Sequence, residues 1–315
     1  MQKEIYNTVK SVVFGHAVAD ALGVPAEFAS REELDAAPVC EMEGFGTYPY
    51  PAGCWSDDTS MSLAALDSLA TGKVDYDDIM EKFGAWYYRD EYTPTGELFD
   101  IGNTCTVAIE NYFTHHIPAL QCGPAHTASN GNGSLMRIHP FVLYSIIKGH
   151  SVDEMIAIVH DASALTHGHE RSKVACGIYA FILTELIRSP DKESVYVGLK
   201  RAAEYYKGSP ECKTYSRLLD PELASIPRSE IKSSGYVVDT LEAAVWCLLT
   251  TESYAECALA AVNLGSDTDT VAAIAGGLAG ALYGLDAIPK DWLKTLTKQK
   301  YIDDICKKFV KASLK

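Results

Sequence analysis

A chain of 315 residues, 47% hydrophobic and 22% charged, has the balance of an ordinary globular protein, and its length allows one or two domains. With 42 Asp plus Glu against 27 Lys plus Arg, the net charge is −15, so nucleic acid is not an expected partner, although an anionic ligand in a local, metal-neutralised pocket is. The 9 cysteines are scattered, odd in number and never spaced C-x-x-C, which argues against a disulfide framework or a zinc ribbon and for a reducing, cytoplasmic setting.

The N-terminal stretch has no uninterrupted apolar core and does not read as a signal peptide, and no apolar run reaches membrane-spanning length. "TVKSVVFGHAVADALG" sets Val9, Val12, Val13, His16, Ala17 and Ala21 on one helical face, and Pro25 marks its end. "TSMSLAALDSLATG" aligns Met61, Ala65 and Leu69 and stops at Gly72. Helical patterns follow near 76–90 and 103–114, and the Gly/Asn-rich loop "SNGNGS" runs into a helix "LMRIHPFVLYSII". More are predicted near 151–164, 170–187, 193–206, 237–250, 253–263 and 301–313. "GYVVDT" opens with a strand-like run but continues straight into a helical pattern. In "DTVAAIAGGLAGALYG" apolar residues recur at 271, 274, 275, 278, 281 and 282. The many Ala and Gly positions suit closely crossing helices rather than a coiled coil, and no linker, charge block or repeat divides the chain. The expectation is one all-α domain over 1–315, a compact orthogonal helix bundle.

Two polar clusters open two of these helices: Ser56, Asp57, Asp58 and Thr59, and Asp267, Thr268, Asp269 and Thr270. Each alone reads as an N-cap, since hydroxyls and carboxylates satisfy the first free N–H groups and acids suit the positive end of the helix dipole. Capping needs one side-chain oxygen per helix, and each cluster carries a surplus. If the two mouths meet, four carboxylates share one site. Two of them about 4 Å apart repel by roughly 4 kcal/mol at an effective dielectric of ~20. Two divalent cations would balance four charges, and an all-oxygen donor set selects Mg²⁺ or Mn²⁺ over zinc. Such a paired site holds and activates water.

Five blocks lie in order from Phe14 to Gly284: "GHAVADALGVPAEF", "WSDDTSM", "SNGNGSLMRIHP", "ALTHGHERS" and "GSDTDT" with its following helix. Together they resemble the ADP-ribosylglycohydrolase family, including the dinitrogenase reductase-activating glycohydrolases. The resemblance implies that family's all-α fold, two Mg²⁺ (or Mn²⁺) ions, and hydrolysis of the bond between C1″ of ADP-ribose and a modified side chain. It implies Ser56, Asp57, Asp58, Asp267, Asp269 and Thr270 as metal ligands, with Thr59 and Thr268 orienting and capping. It makes Glu27 the proton-transfer residue, with Asp58 or Asp269 beside the attacking water. Relative to the family's pattern, Ser56 stands for Thr, Ser266 for Gly and His16 for Asp.

The loop holding Ser129, Asn130, Gly131, Asn132 and Gly133 reads by itself as an anion cradle or as a plain turn with a cap. The resemblance implies that it cradles the pyrophosphate. Asp100, Gly102 and Asn103 in "FDIGNTC" resemble the arginine-linked branch, where the Asp faces the departing guanidino group; N-capping by Asp100 or Asn103 is the equal alternative. His167 and His169 lack a third soft ligand for zinc, and the resemblance sets His167 beside the distal ribose. Tyr236 lines the pocket or fills the core. The expected protein is thus an ADP-ribosylhydrolase acting on an ADP-ribosylated protein or small ADP-ribosyl substrate, arginine-linked first, with no membrane partner. Serine-linked or O-acetyl-ADP-ribose hydrolysis, hydrolysis of a free nucleotide, and a non-catalytic ADP-ribose-binding relative are the alternatives.

Overall fold

The structure, a computed structural model, describes residues 2–315. Helix accounts for 64% of it, and no strand occurs among the described residues. The first half carries α1 (Gln2–Gly23), α2 (Arg31–Ala36), α3 (Asp57–Leu69), α4 (Tyr76–Arg89), α5 (Asn103–Phe113), α6 (His139–Lys148) and α7 (Val152–Ala164). The second carries α8 (Glu170–Arg188), α9 (Glu193–Tyr205), α10 (Val237–Thr250), α11 (Tyr254–Val262), α12 (Thr268–Tyr283), α13 (Lys290–Thr295) and α14 (Gln299–Ser313).

The axis of the fold is the pairing of α1 with α12. Both helices are buried nearly all round, α1 from Ser11 to Gly23 and α12 from Thr268 to Gly280, as expected of helices inside a core rather than on its surface. Small residues at the crossing let the backbones touch. A Cβ added to Gly15 would lie 2.4 Å from the Gly276 carbonyl oxygen, and one on Gly280 would lie 2.2 Å from that of Ser11. Tyr254 of α11 locks the pair by donating to the Gly15 carbonyl at 2.6 Å. α14 covers the other side of α1, where Asp303 accepts from the Tyr6 hydroxyl and pairs with Lys10 at 2.8 Å. One continuous apolar core includes residues from α1 through α14, and no helix is long and apolar enough to cross a membrane. The nine cysteines are free.

The predicted helices stand within a few residues of their expected bounds, with one shift. The helix expected from Leu135 begins at His139, because Pro140 has no N–H to give the Met136 carbonyl and fits only the first turn. Helices α2 and α13, six residues each, are too short for periodicity to mark. "GYVVDT" forms no strand. Its start makes a single antiparallel bridge between Gly131 and Tyr236, with Val237 N–H donating to Asn130 O and Asn132 N–H to Gly235 O. That bridge clips the 129–133 loop against the start of α10.

Candidate functional site

The mouths of α3 and α12 meet. Ser56 N-caps α3, its Oγ accepting from Asp58 N–H at 3.3 Å. Asp267 stands at the N-cap position of α12 yet makes no capping bond with its side chain. It accepts instead from Asn132 Nδ2 at 2.7 Å. Ser56 Oγ and Thr270 Oγ1, one from each mouth, both donate to Asp58 Oδ2 at 3.1 Å. The surplus oxygens thus face one another across the junction. Thr268 hydrogen-bonds the Gly23 carbonyl at 2.8 Å, consistent with an orienting role. Gly23 has no room for a side chain, since a Cβ there would lie 2.5 Å from Asp269 Cα. The end of α1 therefore abuts the start of α12 and delivers Glu27 to the cluster.

Glu27 is buried, with Oε2 free of any hydrogen-bond partner. Its backbone is held by Thr47, whose Oγ1 donates to Glu27 O at 2.6 Å. The next residue, Phe28, has a left-handed backbone (φ 67°) and donates to the Ser266 carbonyl at 2.7 Å. Asp100, also left-handed at φ 51°, enters from the loop before α5 and contacts Asp57 and Asp269. The Tyr48 hydroxyl lies close to both Glu27 and Asp100 and favours the ionised form of each, partly offsetting burial. One oxygen each of Glu27, Asp100 and Asp269 lies within 4.8 Å of the others.

Seven carboxylates gather here, those of Asp20, Glu27, Asp57, Asp58, Asp100, Asp267 and Asp269. Glu27, Asp57, Asp100 and Asp267 border a cavity of about 360 Å³ that has no Lys or Arg in its lining, while Asp20, Asp58 and Asp269 lie behind them. Burial in a site without counter-charge disfavours ionisation. It raises Glu27 to about 8, with Asp100 adding repulsion. Burial likewise raises Asp20 to about 7 and Asp100 to about 6, and Asp57, Asp58 and Asp269 well above the carboxylate range. Buried Asp58 Oδ1 and Asp269 Oδ2, like Glu27 Oε2, have no hydrogen-bond partner. Orphaned, buried, all-oxygen donors fit hard divalent cations.

The remaining candidates divide. Gly102, Asn103, Gly131, Asn132, Gly133 and His167 line the cavity. Gly102, not Asp100 or Asn103, is the N-cap residue of α5, and no side chain caps that helix, so the capping alternative for Asp100 and Asn103 does not hold. Ser129 and Asn130 are buried outside the lining: Ser129 bonds His126, and Asn130 bonds Thr127 and Ser172. The Tyr236 hydroxyl accepts from Arg171 at 3.1 Å, and its ring is likewise outside the lining. His167, buried and pushed down to about 3, is a neutral imidazole against Thr166.

Sequence reasoning missed two contributors. Asp20 binds the Ser56 N–H at 2.9 Å and the Thr59 N–H and hydroxyl at 3.0 and 2.5 Å, so Thr59 orients α3 through it. The signal was present: within "GHAVADALGVPAEF" the acid before Glu27 is Asp20, four residues after His16. The supposed departure at His16 is therefore a misalignment. His16 is a buried imidazole tilted against His139, ring centroids 4.6 Å apart. Tyr48 carried no signal, since its loop has no periodicity and no motif.

The sequence profile of the ADP-ribosylglycohydrolase family matches residues 1–315, and the chain belongs to that family. It is 35% identical over 315 residues to the ADP-ribosylarginine hydrolase Tri1 of Serratia proteamaculans, covering 96% of this chain and 79% of that protein. It is 31% identical over 297 residues to the ADP-ribosyl-[dinitrogen reductase] glycohydrolase of Rhodospirillum rubrum, covering 93% and 91%. A solved structure described as an ADP-ribosylglycohydrolase-related protein complex superposes with a TM-score of 0.83 at 30% identity, covering 99% of both chains.

Proposed function

We propose that this chain is a metal-dependent hydrolase that removes ADP-ribose from arginine side chains of modified proteins. The observation that carries the reading is the convergence of the two helix-mouth clusters on one cation-poor cavity, with three buried carboxylate oxygens left unpartnered. Ser56, Asp57, Asp58, Asp267, Asp269 and Thr270 would hold two Mg²⁺ or Mn²⁺ ions, which when bound supply counter-charge and Lewis-acid polarisation of sugar hydroxyls and water.

The chain's own residues do the rest. Gly131 and Gly133 form a wall without side chains, where a Cβ on Gly133 would lie 2.9 Å from Cys105 Sγ; that wall suits close approach of a pyrophosphate. Asp100 faces the departing guanidino group. Glu27, buried with Oε2 free of a partner, delivers a proton from its carboxyl to the departing nitrogen. The C1″–N bond breaks with its electron pair on that nitrogen, water's oxygen bonds to C1″, and water's spare proton passes to Asp58 or Asp269. The names of the two relatives, both hydrolases of ADP-ribosyl bonds, support the reaction class, and the arginine hydrolase supports the linkage. Nine free cysteines support a cytoplasmic setting, and the continuous core supports one domain.

The test is hydrolysis of matched arginine- and serine-linked ADP-ribosyl peptides with Mg²⁺, Mn²⁺ or chelator. The reading expects cleavage of the arginine-linked peptide and its loss in chelator. Turnover indifferent to chelator would contradict it.

A further inference from the structure

Phe28 is placed at a cost. Its ring is 70% exposed although its neighbour Glu27 is buried. Its φ of 67° lies in the left-handed region, which a bulky residue occupies only when the surroundings force it. The forcing contacts are reciprocal: Phe28 N–H donates to Ser266 O, and Ser266 N–H to Ala29 O, both at 2.7 Å. Ser266 is itself left-handed at φ 66°. Phe28 takes no part in the apolar core, yet it lines both the carboxylate cavity and the neighbouring groove that holds Arg31 and Lys232. Two strained residues thus hold an aromatic face, in contact with solvent, at the cavity edge one residue from Glu27.

An exposed ring beside a cluster of carboxylates has the chemistry of a cation receptor. Carboxylates neutralise the charge, and the ring's negative face attracts a flat guanidinium. An ADP-ribosylated guanidinium keeps its positive charge, whereas an ester or ether oxygen on the same sugar has none. We propose that Phe28 is the specificity-determining contact for the departing group, its ring face receiving the substituted guanidinium. This rests on the arginine-linked reading of the cavity.

The experiment compares wild type with F28A, F28L and F28Y on matched arginine- and serine-linked ADP-ribosyl peptides. It also measures arginine amide binding to the ADP-ribose-loaded protein. F28A and F28L are expected to raise KM for the arginine-linked peptide about ten-fold with kcat within about two-fold. KM for the serine-linked peptide, where cleaved, stays put, and F28Y behaves as wild type. Leucine serving as well as phenylalanine, or an equal KM rise on both peptides, would overturn the proposal. A wild-type protein that cleaves no arginine-linked peptide overturns the functional reading instead. Phe28 is then judged on arginine amide binding alone, expected about ten-fold weaker in F28L; equal or absent binding in both proteins would sink it.

Discussion

Thr270 Oγ1 donates to Asp58 Oδ2 at 3.1 Å, closing a gap of 212 residues. That bond fixes the N-terminus of α12 against the N-terminus of α3, so two positive helix ends and two acidic clusters share one place. The clusters are more than caps, because Asp267 caps nothing and Asp58 and Asp269 each keep a buried oxygen without a partner.

Asp267→Asn removes one charge from the cluster and leaves Asn132 with an oxygen to bond. Turnover is expected to fall by about 100-fold or more, with the far-ultraviolet circular dichroism unchanged. Near-wild-type turnover would remove Asp267 from the site.

Divalent cations should stabilise the fold. Repelling carboxylates are relieved only when an ion binds the native state, and an ion at about 100 times its Kd adds about 2.7 kcal/mol. The melting temperature of chelator-treated protein is expected to rise by about 5 °C on adding Mg²⁺, read by scanning calorimetry.

Without cations the pH dependence should run backwards. Asp20, Glu27 and Asp100 have native values raised to about 7, 8 and 6, so the native state binds more protons than the unfolded chain. Their stabilisation is present at low pH and lost as pH rises through those values. Buried neutral His16, lowered to about 4, and His167, to about 3, oppose this only below the unfolded histidine value of 6.5. Melting temperature in chelator is therefore expected to increase as pH falls from 8 to about 6.5, and Mg²⁺ should flatten the trend.

Tyr48→Phe deletes the hydroxyl close to both Glu27 and Asp100 while keeping the ring against Phe99, centroids 5.0 Å apart. A fall in kcat of about ten-fold is expected with little change in melting temperature. An unchanged kcat would show that Glu27 is set by its backbone alone.

Gly280→Ala forces a methyl to 2.2 Å from the Ser11 carbonyl. Separating α1 from α12 should cost about 1–3 kcal/mol, seen as a lower urea midpoint.

Much of this was legible in the chain. Helical periodicity located the long elements, and the two acidic mouths stood out because each carried more oxygens than a cap can use. Local pattern failed where structure is set by distant contacts. Asp100 offered itself equally as a cap of α5, yet it caps nothing, and a left-handed backbone turns it into the carboxylate cluster. Tyr48 reaches the site only because its loop is tied to Pro25 and Glu27 through Thr47. Ser129 and Asn130 belong to the glycine loop in sequence, but their side chains brace it from behind.

The most direct measurement is a calorimetric titration of Mn²⁺ into chelator-stripped protein, wild type beside Asp58→Asn. The account predicts two ions bound per chain in the wild type and a clear loss of binding in the variant. Heats that match between the two proteins, or no uptake by either, would mean that the joined helix mouths hold no metal.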